Sequence, residues 1–117
     1  MKRSLIAVLV CLASSALAAE DVMSTRYGNT TIAVDIHGAE SRTWYNADHT
    51  FASTQGGLQL KGTWSLAGNT LCRNYDVGPP GAPNPYCFPA DKLRRVGERW
   101  TVGDGERKMS LILVEGR

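Results

Sequence analysis

Residues 58–66 read LQLKGTWSL. In an extended chain Leu58, Leu60, Trp64 and Leu66 point one way, and Gln59, Lys61, Thr63 and Ser65 point the other. Alternation of this kind marks a strand with one face in a core and one in water. Gly62 breaks the apolar face, and a glycine inside a strand marks a bulge, a bend or the close approach of a neighbouring backbone. This stretch decides for a β reading of the chain, and its surroundings agree.

The same grammar repeats on both sides. TFAST at 50–54 is a short run ended by Gly56-Gly57, a hairpin signal. After the turn Ala67-Gly68-Asn69, TLCRNYD at 70–76 returns. Upstream, TTIAVDIH at 30–37 puts Ile32, Val34 and Ile36 on one face and Ala33, Asp35 and His37 on the other. SRTWYN at 41–46 puts Trp44 and Tyr45 on opposite faces. Asn46 and Asp48 suit the turn that follows, because their side chains bond nearby backbone. VGERWTV and ERKMSLILV form a last hairpin across Gly103-Asp104-Gly105, and residues 90–95 allow a short helical turn. About seven short strands at this spacing predict an all-β antiparallel meander, as a small barrel or a two-layer sandwich. Closing the sheet removes exposed edges that invite aggregation.

The first residues do not belong to this pattern. Lys2 and Arg3 precede SLIAVLVCLASSALA at 4–18, and Ala16-Leu17-Ala18 fits the small-residue rule for signal peptidase. The apolar run is too short, and too soon followed by Glu20-Asp21, for a membrane span. Residues 1–18 therefore read as a secretory signal peptide cleaved after Ala18 or Ala19, and residues 20–117 as a single β-domain. The expected product is exported, periplasmic or secreted. Losing Lys2 and Arg3 leaves 11 basic residues against 11 acidic. The concentrated basic surface that a nucleic-acid partner requires is missing. Cys11 leaves as well, so Cys72 and Cys87 remain, and an even pair in an exported domain predicts one disulfide. Closing a loop of that length contributes about 3 kcal/mol in the chain-entropy account.

TWYNADHTF at 43–51 and TWSLAGNTL at 63–71 repeat a scheme, a tryptophan a few residues before a turn, which Trp100 and GDG echo. Trp44, Trp64 and Trp100 are thus either a row of aromatic residues lining a ligand site or three large side chains filling a core. His37 and His49 lack HxH or HxxxH spacing, and no CxxC occurs, so no metal site is expected. No G-x-S-x-G elbow is present, and a disulfide consumes both remaining thiols. No cofactor motif occurs, and none is expected. An enzymatic alternative would use the polar strand face around Asp35, His37 and Arg42.

All five prolines lie between 79 and 89. The segment 77–90 reads as a Pro-rich loop that cannot pair as a central strand and is held extended by its prolines. Pro80, Pro83 and Pro85, with Tyr86 and Phe88 beside Cys87, make it a candidate ligand- or partner-binding element, since preorganisation lowers the entropy cost of binding. The competing reading is a stapled connector.

YNADHTF at 45–51 and KGTWSLAGNTLC at 61–72, followed by a second cysteine, resemble a pattern found in small exported bacterial β-domain proteins of uncharacterised function. Gly62-Thr63-Trp64 also resembles the glycine-x-tryptophan of lipocalin-type barrels, although there it opens the first strand and here it lies mid-domain. The resemblance implies a compact β-barrel or sheet domain with one disulfide and carries no catalytic residues. Together these readings lead to an exported, non-catalytic binding protein. Its expected partner is a small apolar ligand or an envelope protein, the latter in an inhibitor-like manner; a small periplasmic enzyme and a structural envelope protein are the alternatives.

Overall fold

In a computed structural model of the chain, residues 21–117 are described. The predicted signal peptide, its cleavage site at Ala18 or Ala19 and Cys11 lie outside them. The chain forms eight antiparallel strands: β1 (Thr30–Asp35), β2 (Glu40–Tyr45), β3 (Thr50–Gln55), β4 (Leu58–Ala67), β5 (Thr70–Val77), β6 (Tyr86–Pro89), β7 (Arg99–Val102) and β8 (Met109–Val114). They make one sheet in the order β6-β5-β4-β3-β2-β1-β8-β7. The first six follow as a meander. The β7–β8 hairpin then joins the far side, β8 pairing with β1 over six residues. The sheet curls into a barrel that is nearly closed: the edges of β6 and β7 face each other across a slot instead of a hydrogen-bonded seam.

β4 has the alternation expected of it. Leu60, Gly62 and Trp64 are buried while Lys61, Thr63 and Ser65 are exposed; Leu58, at the hairpin, stays half in water. Gly62 carries both features anticipated for it. The β4–β5 register slips between Lys61 and Gly62, and a Cβ on Gly62 would stand 1.9 Å from the carbonyl oxygen of Asn74. The β3–β4 turn holds Gly56 and Gly57 at φ 55° and 81°, the left-handed conformations that a two-residue hairpin demands.

The described residues hold eight strands, in line with the about seven expected. Three readings need correction. The Pro-rich segment is not all loop, because Tyr86–Pro89 within it is a strand. It is an edge strand, where Pro89 forfeits no sheet hydrogen bond on its free side, so proline is tolerated. The Pro-rich loop is thereby confined to residues 78–85. Residues 90–95 form no helix; the segment crosses the end of the barrel, from a bond between Ala90 N–H and Asn69 C=O to one between Gly97 N–H and Leu113 C=O. Finally, β1 is turned with its apolar set outward. Ala33 packs in the core, whereas Ile32 and Val34 lie partly exposed on the outer face and Ile36 is 48% exposed.

One end of the barrel is closed by residues 21–28 and by the 90–98 crossing, tied by the bond from Thr25 Oγ1 to the Arg94 carbonyl. Met23 and Arg26 reach inward from this plug and are fully buried. Met23, Tyr45, Phe51, Trp64 and Leu71 form the larger core cluster, and Trp100, Val102, Leu111 and Leu113 the smaller one. The Cys72–Cys87 disulfide joins directly paired positions of β5 and β6 on the outer face. It anchors the edge strand that carries Tyr86 and Phe88.

Candidate functional site

The open end of the barrel holds a cavity of about 200 Å³. Strand alternation divides its lining by chemistry. Ser41 and Thr43 from β2, Ser53 and Gln55 from β3, Thr31 from β1 and Arg73 from β5 supply a polar wall. Tyr75, Tyr86, Phe88, Met109 and Leu111 supply an apolar one, and Pro79, Ala82 and Pro83 lie over the mouth. The volume is below the ~300–1,000 Å³ of sites for drug-sized molecules, so the site suits a smaller guest.

Arg73 dominates the polar wall. Leu71, Arg73 and Tyr75 share the inner face of β5, so strand geometry carries the arginine inside with them. Its guanidinium carbon lies 4.5 Å from the ring centroid of Phe51, 5.2 Å from that of Tyr75 and 6.0 Å from that of Tyr45. These ring faces offset part of the desolvation of the cation. Burial pushes the Tyr75 phenol upward in pKa, and the charge of Arg73 partly opposes this.

The hydrogen bonds of this wall have a direction. Ser53 gives its one hydroxyl proton to the Arg42 carbonyl at 2.8 Å. Thr43, 3.0 Å from Ser53, must therefore donate to it, and the Thr43 oxygen accepts from Arg73 Nη1 at 3.3 Å. Both hydroxyl protons are committed within the wall. Two groups are left over. Arg73 Nε and Thr31 Oγ1 have no partner among the described residues, although both residues are buried. Thr31 is the direct cross-strand partner of Thr43, and Arg73 reaches the same Thr43 hydroxyl from β5, so the two orphan groups come from β1 and β5 and flank that hydroxyl on β2.

No protein-family model, curated protein or solved structure matches the chain. Its site is therefore read from its own residues.

The sequence candidates divide. Pro83, Tyr86 and Phe88 line the cavity, the two rings 5.7 Å apart and turned inward. Pro85 borders the adjoining slot between β6 and β7, and Pro80 stands exposed in the loop. Of the tryptophans, Trp64 is core, stacked on His49 at 4.0 Å and edge-on to Tyr45, with its indole N–H on the Asn46 carbonyl. Trp100 lies in the smaller cluster under Arg26 and Arg94. Trp44 is on the outside of the barrel, its N–H bonded to Thr30 Oγ1 at 2.9 Å. The three do not form a row.

The polar group around Asp35 does not converge either. Asp35 Oδ1 accepts the backbone N–H groups of His37 and Ala39 and so builds the β1–β2 turn. Arg42 pairs with Glu40 on the outer face. His37 and His49 sit in turns at opposite ends of β2. Arg73, Thr31, Thr43 and Ser53 were not singled out from the sequence. A signal existed for Arg73: a charged residue in phase with Leu71 and Tyr75 must lie on the apolar face of its strand.

Proposed function

We propose that the protein is an exported, non-catalytic binding protein that takes a small ligand into the open end of its barrel. The cavity carries this reading: it has one apolar wall, one polar wall and a mouth beneath prolines. The pairing of Cys72 with Cys87 is consistent with an oxidising compartment, and so supports the export read from the leader. The lipocalin-like resemblance of Gly62-Thr63-Trp64 points to the same kind of site. The Pro-rich loop acts as the rim of the cavity, held by Asn84, whose side chain bonds the backbone N–H and C=O of Tyr75 at 3.0 and 3.1 Å. Such a loop guards the mouth at little entropic cost on binding.

The test is amide chemical-shift mapping with two eight-carbon probes, n-octanol and octanoate. Saturable shifts at Thr31, Thr43, Ser53, Arg73 and residues 78–85 with at least one probe support an interior site. Shifts with neither, or shifts confined to the outer face around Trp44 and Lys61, overturn it.

A further inference from the structure

We propose that the ligand is a small apolar acid whose carboxylate sits on Arg73 and Thr31. This rests on the interior-site reading above and adds the chemical class of the guest.

Three observations converge. First, Arg73 is 8% exposed and has no ion pair among the described residues, whose salt bridges involve only Arg42 and Arg94. A guanidinium has five N–H donors, and the hydrogen bond to Thr43 accounts for one of them. Second, no aspartate or glutamate lines the cavity, so nothing within it neutralises the cation. Third, Thr31 Oγ1 is buried without a partner next to the hydroxyl that Arg73 touches. Buried donors left unpaired are uncommon and destabilising. A carboxylate satisfies both groups, because the planar guanidinium fork matches its two oxygens. The opposite wall of Tyr75, Tyr86, Phe88, Met109 and Leu111 then receives the hydrocarbon part. In the empty protein the faces of Phe51, Tyr75 and Tyr45 hold the charge in place.

Arg26 does not compete for this role. It is also buried, with Nε and Nη1 unpartnered among the described residues, but it belongs to the plug at the other end and does not line the cavity.

The experiment is calorimetry on the protein purified after export, at neutral pH, with octanoate, n-octanol and octylammonium. Octanoate is expected to bind at least tenfold tighter than octanol, and octylammonium weakest. Arg73→Met is expected to weaken octanoate by about ten- to a hundredfold, the range for a charge-assisted hydrogen bond, and octanol by much less, so that the octanoate-to-octanol ratio collapses. Thr31→Val is expected to weaken octanoate several-fold and to raise the melting temperature of the empty protein, because it removes an unpartnered hydroxyl. If Arg73→Met does not fold, the wild-type ratio and Thr31→Val decide. Equal binding of octanoate and octanol, or tighter binding of octylammonium, overturns the carboxylate while the interior site stands. Binding of none of the three overturns both.

Discussion

Arg26 and Arg73 rest against the same ring, that of Tyr45, with their guanidinium carbons 5.7 and 6.0 Å from its centroid. One cation comes from the plug at the closed end of the barrel and the other from β5 at the open end. Neither forms an ion pair among the described residues. Tyr45 thus joins two buried charges, and the difference between them is access. Arg73 lines a cavity; Arg26 is sealed.

That difference predicts opposite behaviour on substitution. Arg26 is 2% exposed, burial pushes its pKa down, and Nε and Nη1 have no partner among the described residues. Arg26→Met keeps the length of the side chain and removes the charge. It should raise the free energy of unfolding by about 1–3 kcal/mol, as replacing a buried charge by a hydrophobe of similar size commonly does. Urea denaturation measures this. A loss of stability would mean that the contacts with Tyr45 and Trp100, at 5.7 and 5.3 Å, outweigh the desolvation.

Gly62→Ala should destabilise the fold by about 2–3 kcal/mol, the cost of forcing a side chain into packed space. The added Cβ meets the Asn74 carbonyl oxygen at 1.9 Å and Tyr75 Cα at 3.0 Å. These are backbone atoms and cannot swing aside, so β4 and β5 must part at the bulge. Since Arg73 lies next to Asn74, amide exchange at residues 73–75 should quicken as the urea midpoint falls. An unchanged midpoint would show that the strands absorb the methyl by sliding.

Tyr27 gives the protein an alkaline limit. Its phenol is pushed up to about 12, first by burial and then by the hydrogen bond it donates to Asp21 Oδ2 at 3.1 Å. In the unfolded chain the same group titrates near 10. Its folded pKa is the higher one, so its contribution is complete below about pH 10 and is lost as pH rises through about 12. Absorbance titration of the phenolates should show a late component that Tyr27→Phe removes and Asp21→Asn moves to lower pH. A Tyr27 titration near 10 would contradict the arrangement at the plug.

Much of this architecture is visible along the chain. The Leu60-Gly62-Trp64 alternation, the Gly56-Gly57 turn and the bulge at Gly62 follow from local rules, since neighbouring residues of a strand must point to opposite sides. The Cys72–Cys87 pair follows from counting cysteines once residues 1–18 are read as a leader, and the structure has it bonded. The site was harder to see. TWYNADHTF and TWSLAGNTL look equivalent, yet Trp44 faces water and Trp64 the core. A period of two shows that a strand has two faces and is silent on which one the barrel encloses.

The sequence by itself determined the β class, the hairpin turns and the disulfide, because these depend on residues close in the chain or on a count. Tertiary structure alone decided that β1 carries Thr31 and Ala33 inward, that Tyr86–Pro89 pairs as an edge strand, and that Arg73 ends without a carboxylate beside it. Each of these depends on curvature and on strand partners far away in sequence. The register of β1 with β2 and β8 sets which face closes on the interior, and only that closure places Thr31, Thr43 and Arg73 around one cavity.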